Sequence, residues 1–176
     1  MRYRRDNIAG GTYFFTVNLA QRSSTLLIDA IDILRDAMRL VQRRHPFHID
    51  AIVILPDHLH TIWTLPPDDA AFAQRWALIK AEFSRHLPPT ERRSASRQKK
   101  GERGIWQRRY WEHLIRSDAD YARHVDYIHL NPVKHGHAAH PREWAYSSIH
   151  RYVRDGILPP DWSSDLKMED RLFGEA

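Results

Sequence analysis

Two β-branched, apolar runs separated by only Pro56-Asp57 constrain this chain more than any other feature. Phe47 to Leu55 and His58 to Leu65 read as strands, and Pro-Asp is a turn signal. A link that short joins them most simply as an antiparallel hairpin. Side chains alternate along a strand, so His58 and His60 at the start of the second run point to one face and Leu59 to the other. Two imidazoles on one rigid face can grip a metal ion. The same pair can also be two strand histidines with no role, because His-x-His is a short pattern.

The elements around the hairpin complete a pattern. Gly10-Gly11 leads into a strand at 12–19. Residues 26–44 predict one helix, with Leu27, Ile31, Leu34, Met38 and Val41 as its apolar stripe and Pro46 just beyond. After Pro66-Pro67, Asp68 or Asp69 can cap a second helix, whose stripe runs Phe72, Trp76, Ile79, Phe83, Leu87 until Pro88-Pro89. Residues 106–116 read as a fourth strand. Within it, His113 is a site candidate by type, although a lone strand histidine is more often a hydrogen-bonded structural group. Ser117 to Asp120 resembles a capping box and opens a third helix, which Pro132 is expected to end at Asn131.

The order β-α-β-β-α-β-α places the chain in the α+β class. Its first six elements match the ferredoxin-like split βαβ pattern, a four-stranded antiparallel sheet with two packing helices. The seventh is an added helix. At 176 residues the chain suits one domain, 1–176, made of a basic arm at 1–9, the core, a flexible basic loop at 90–104 and a C-terminal extension at 137–176.

Charge is uneven. Residues 91–110 hold eight Arg or Lys against two Glu, while the last sixteen residues hold two basic and five acidic groups. A positive segment in a chain of net charge +5 points to a polyanion, and nucleic acid is the commonest. The candidate phosphate contacts are Arg92, Arg93, Arg97, Lys99, Lys100 and Arg103, with Arg2, Arg4 and Arg5 of the arm. The absence of cysteine excludes disulfides and thiolate metal sites. No apolar run has the length of a signal peptide or a membrane span, which leaves the cytoplasm as the expected location and no membrane partner.

The added helix carries Tyr127 on a polar face, with Arg123, His124 and Asn131 at helical spacing. A tyrosine oxygen can attack phosphorus and form a covalent phosphotyrosine. A divalent ion on His58, His60 and the Asn131 oxygen can polarise a phosphate oxygen. Mg²⁺ and Mn²⁺ suit that task, and Mn²⁺ is more at ease with imidazole.

Several stretches together resemble a known family. They are Gly-Gly-Thr-Tyr-Phe-Phe-Thr-Val-Asn-Leu at 10–19, Leu-Pro-Asp-His-Leu-His at 55–60, Ile-Trp-Thr-Leu-Pro at 62–66, Trp111-Glu112-His113, and His-Val-Asp-Tyr-Ile-His-Leu-Asn-Pro-Val-Lys-His-Gly at 124–136. Trp144 to Ser148 and Asp161-Trp162 add to them. The set is similar to the single-tyrosine HUH transposases, and more narrowly to the REP-associated tyrosine transposases. That resemblance implies cleavage and joining of single-stranded DNA at extragenic palindromes folded into hairpins. It implies Tyr127 as nucleophile and His58 and His60 as metal ligands. Asn131 falls where related transposases carry a glutamine ligand, one methylene longer. The resemblance also implies a monomer, with a domain-swapped dimer as the family's other form. The rival reading is an inactive domesticated relative that only holds hairpin DNA or RNA. A 2H-type phosphoesterase does not fit, because it would need two His-x-Thr or His-x-Ser motifs.

Overall fold

The computed structural model of the chain describes residues 7–163 and 172–175. Arg2, Arg4 and Arg5 lie outside the described residues. The elements run β1 (Thr12–Asn18), α1 (Leu26–Asp29), α2 (Ile31–Arg44), β2 (His48–Ile54), β3 (His58–Thr64), α3 (Phe72–Arg85), α4 (Ala95–Lys99), β4 (Trp111–Leu114), α5 (Asp118–Lys134), a 3₁₀ turn (Pro141–Glu143) and α6 (Ile149–Arg154).

The sheet has the order β2-β3-β1-β4 with every neighbour antiparallel, which is the ferredoxin-like arrangement. Strand alternation gives it two apolar faces. Phe15, Val17, Leu59 and Trp63 point to the face covered by α2 and α3, where the Trp63 and Trp76 rings stack at 4.2 Å. Phe14, Val53 and Ile62 point to the other face, against Val125 and Ile128 of α5. The added helix therefore covers the face that a two-helix ferredoxin-like core would leave bare. α6 lies beside β2, where Ser148 N–H donates to the Ile52 carbonyl at 2.8 Å.

Four boundaries differ from the sequence reading. The first helix is split at Ala30, whose backbone sits at φ −111° and ψ 33°, while Leu27 and Leu34 stay buried on one stripe. The basic loop contains α4, because the Ser94 hydroxyl caps it by accepting from Arg97 N–H. The fourth strand begins only at Trp111; Trp106 meets Leu19 in an isolated bridge, and the chain leaves the sheet between them. The third helix does not stop at Asn131. It runs through Pro132 to Lys134, and Gly136 at φ +71° follows it. Proline removes one hydrogen bond near the helix end, where the last turn forfeits little, and the left-handed glycine supplies the real stop.

Asp69 also acts differently from a cap. The first turn of α3 starts after Ala71, whose N–H donates to Asp69, and the carboxylate takes both terminal nitrogens of Arg75 at 2.6 and 2.9 Å. Arg75 is 2% exposed and also donates to the carbonyls of His45 and Pro46. The Arg75 hydrogen bonds hold Asp69 at a pKa of about 2, against 3.8 for a free aspartate. A depressed carboxylate stabilises the fold fully above its unfolded pKa and loses that contribution as pH falls toward the folded one. Asp69→Asn should cost about 2 kcal/mol in urea unfolding at neutral pH. The loss of stability between about pH 5 and about pH 2.5 should be smaller in the variant than in the parent. Equal acid sensitivity in both proteins would contradict the role given to this pair.

Candidate active site

Strand pairing builds one half of the site. β1 and β3 are in register with Thr16 opposite His60 and Asn18 opposite His58, and all four point toward the α5 face. Both histidines are buried, with ring centroids 5.0 Å apart. Each ring is held by a neighbour at Nδ1. Asp57, in the turn, lies 2.7 Å from His58 Nδ1, and Thr16 Oγ1 lies 2.8 Å from His60 Nδ1. The Thr16 hydroxyl spends its one proton on the Phe173 carbonyl at 2.6 Å, so it must accept from His60. Nε2, on the far side of the ring, is aimed inward at the Glu175 carboxylate, and its lone pair is open to a ligand only once that carboxylate leaves. Such Nδ1 partners orient histidines for metal binding.

The helix α5 supplies the other half. Tyr127, Asn131 and Lys134 fall at i, i+4 and i+7, which is one stripe of an α-helix. The helical face around Tyr127 is polar, as the sequence suggests, but it is not exposed. Tyr127 and Asn131 have no solvent-exposed surface and His124 is nearly as buried. The Tyr127 ring stands edge-on to His60, with centroids 5.2 Å apart. Lys134 Nζ donates to the Tyr127 oxygen at 3.0 Å.

Between the halves sits a side chain that the sequence reading missed. The Glu175 carboxylate is reached by His58 Nε2 at 3.2 Å, Asn131 Nδ2 at 3.2 Å and His135 Nε2 at 3.2 Å. Hydrogen bonds with His60 Nε2 and Lys134 Nζ complete its shell. Burial works to raise the Glu175 pKa, but the bonds from His135, His58 and His60 outweigh it and keep the group ionised. Burial opposes a charge on His58 too, yet Asp57 and Glu175, one at each nitrogen, raise its pKa. Burial dominates at His60, which is pushed down to about 4. Two residues before Glu175, Phe173 lies flat on Tyr127, with ring centroids 3.6 Å apart and planes at 8°. Gly174 between them is at φ +73°, and a Cβ there would come within 2.4 Å of the Trp111 side chain. Only glycine lets the tail pass. Nothing in the sequence marks Glu175 or Phe173 for this place. Asp57, Lys134 and His135 do stand inside the motifs quoted above.

Two observations fit His58, His60 and Asn131 to a divalent ion. With Nδ1 engaged by Thr16, Nε2 is the nitrogen that His60 presents to the pocket. Asn131 Oδ1 is buried and has no hydrogen-bond partner among the described residues, which is costly for an oxygen with no further role. Among the described residues, His58, His135 and Glu175 also form one of two histidine-rich groups compact enough for a metal. The second group is His113, Asp120 and His124. There His113 Nε2 lies 2.8 Å from Asp120 Oδ2 and its ring stacks on His124, tying β4 to the first turn of α5.

The basic segment divides by geometry. Arg92, Arg93, Lys99 and Lys100 are exposed, while Arg97 is half-buried and donates to the Trp106 carbonyl. Arg103 is fully engaged: it pairs with Glu91 and donates to the carbonyls of Ser84, Leu87 and Pro88, which closes the end of α3. A cleft of about 760 Å³ lies between this segment and the end of β1, lined by Leu19, Gln21, Leu87, Arg92 and Arg97 among others. Leu19 N–H donates to the Asp57 carbonyl, which ties the strand end bordering the cleft to the turn that carries His58.

A ferredoxin-like sheet that presents paired strand histidines to a helical tyrosine defines the single-tyrosine transposase class. The chain is 48% identical over 170 residues to a Haemophilus influenzae protein bearing the REP-associated tyrosine transposase name, across 95% of this chain and 97% of the relative. It is 46% identical over 164 residues to the REP-associated tyrosine transposase of Escherichia coli, across 93% of this chain and 92% of the relative. A solved structure of a REP-associated tyrosine transposase bound to a REP hairpin superposes with a TM-score of 0.83 at 45% identity, covering 96% of this chain and 94% of that one. No family model matches the chain. The chain belongs to the REP-associated tyrosine transposases. Membership makes it a DNA transposase with a tyrosine nucleophile. Among the described residues no helix is long and apolar enough to cross a membrane.

Thr16→Val removes the hydroxyl that fixes His60 without removing bulk. In a Glu175→Ala background, where the carboxylate no longer occupies the pocket, it should weaken Mn²⁺ binding about 10–100-fold by calorimetric titration. Unchanged affinity would contradict a ligand role for His60.

Proposed function

We propose that this transposase nicks and rejoins single-stranded DNA beside REP-type hairpins through a covalent 5′-phosphotyrosine on Tyr127. The observation that carries this reading is the place of the Glu175 carboxylate. An anion shared by three histidines, an asparagine and a lysine that also touches the tyrosine oxygen supports a phosphodiester seated in its place. The solved relative bound to a REP hairpin supports the hairpin as substrate.

His58, His60 and Asn131 would hold Mg²⁺ or Mn²⁺, which polarises a non-bridging phosphate oxygen when bound. The protein's own side chains do the rest. Asp57 and Thr16 keep the imidazoles in place, and the strand pairing keeps both rings on one face. The DNA backbone is held by Arg92, Arg93, Lys99 and Lys100, with Arg97 at the cleft and Arg2, Arg4 and Arg5 in the arm. Arg103 supports this surface from beneath through Glu91 and the end of α3, so its contribution is to shape the surface.

Tyr127 attack forms a bond from its oxygen to phosphorus and breaks the bond to the 3′ oxygen, which leaves as a free hydroxyl. A 3′-hydroxyl then attacks the phosphotyrosine, so joining uses the energy stored in that link. Tyr127→Phe should give no covalent adduct with a hairpin substrate on a denaturing gel, and an adduct with that variant would overturn the assignment. The double variant His58→Ala, His60→Ala should bind the hairpin and fail to cut it. Undiminished cleavage would remove the metal role.

In this reading the tail at 172–175 is a plug that must leave before DNA enters. Gly174→Ala touches no group of the site, yet its Cβ meets Trp111 and its backbone is strained, so the tail should be displaced. Gly174→Ala and Glu175→Ala should each cleave a hairpin substrate faster than the parent chain. A rate at or below the parent's in both would contradict the plug.

A further inference from the structure

The geometry points to Lys134 as a catalytic residue whose ammonium stabilises the oxygen of Tyr127 as it attacks and as it leaves. This rests on the reading of Tyr127 as nucleophile. Lys134 stands seven residues after Tyr127, about two helical turns along the same stripe, and its Nζ donates to the phenol oxygen at 3.0 Å. The ammonium also lies 5.0 Å from the centroid of the Tyr127 ring. It reaches that oxygen only because α5 continues through Pro132.

The chemistry requires such a group. A phenol attacks phosphorus well only as it sheds its proton, and the charge that develops on its oxygen is stabilised by a positioned donor of fixed positive charge. In the forward step the Tyr127 oxygen bonds to phosphorus, the P–O3′ bond breaks, the phenol proton passes to solvent and the 3′ oxygen takes one up. In the rejoining step Tyr127 is the leaving group, and the same ammonium steadies the departing phenolate. Lys134 stays protonated throughout. The site's other cationic and imidazole groups do different work. His58 and His60 point their Nε2 atoms at the Glu175 carboxylate, and so does His135. Among the described residues, Lys134 is the one with a charged donor placed on both that carboxylate and the tyrosine oxygen.

Lys134 also holds the tail through Glu175, so the test is made in the Glu175→Ala background, where a lysine that only anchors the tail would have no further effect. Single-turnover adduct formation and rejoining are measured with a REP-type hairpin and Mn²⁺, beside hairpin affinity. Lys134→Met should slow both directions by about 10²-fold or more, keep the ratio of adduct to rejoined strand, and leave hairpin affinity within about 3-fold. Lys134→Arg should retain most activity, and ethylammonium should restore part of the rate to Lys134→Met. Parental rates in Lys134→Met, a loss of affinity that matches the loss of rate, or a slow variant that neither arginine nor amine rescues would each overturn the proposal. Tyr127→Phe in the same background separates the two readings. An adduct there removes the nucleophile, whereas no adduct together with parental rates in Lys134→Met removes only the lysine.

Discussion

The antiparallel register of β1 on β3 is the constraint on which the site depends. It sets Thr16 against His60 and Asn18 against His58, and it sends both imidazoles to the face that α5 covers. A slip of one residue would turn every side chain of β3 over, bringing Leu59 to the site and the histidines into the α2–α3 core. Large apolar side chains prevent that slip. Phe15, Val17, Leu59 and Trp63 on one face and Phe14 and Ile62 on the other are all fully buried, so no alternative register keeps both cores filled. The chemistry is thus fixed by packing several residues away from it. The strands hold the rings rigidly, while Asp57 and Thr16 decide which nitrogen each ring presents.

The second constraint is the continuity of α5. A helix that stopped at Asn131 would carry the tyrosine and the amide, but it would leave Lys134 and His135 in a loop. Continuing through Pro132 brings a cation to the phenol oxygen and an imidazole to the Glu175 carboxylate. The proline gives up one backbone hydrogen bond, the one an N–H at 132 would make to the Ile128 carbonyl, close to the helix end. Gly136 then reverses the chain in the left-handed conformation.

Much of this was legible in the residues. Period-two and period-3.6 patterns give the order of strands and helices, and Pro56-Asp57 gives the hairpin. His58, Leu59 and His60 show their shared face by spacing alone. The features that were not legible have a common physical cause, which is that they are tertiary. A proline predicts a helix end locally, but packing against the sheet carried α5 past it. Charge counting placed Arg103 among DNA contacts, whereas its partners are Glu91 and the carbonyls at the end of α3. The polar face of α5 looks solvated in sequence, because only the folded chain shows Phe173 lying on Tyr127. Glu175 meets His60 across 115 residues of chain, and no local pattern anticipates such a contact.

Both halves of the site meet at the Tyr127 ring, whose oxygen is the atom proposed to carry the DNA. The direct measurement is mass spectrometry of the Glu175→Ala protein after reaction with a hairpin substrate, protease digestion and nuclease trimming. A 5′-linked nucleotide on the peptide that contains Tyr127, and on no other peptide, is the predicted result. A nucleotide mapped to a different residue, or cleavage that leaves every peptide unmodified, would contradict it.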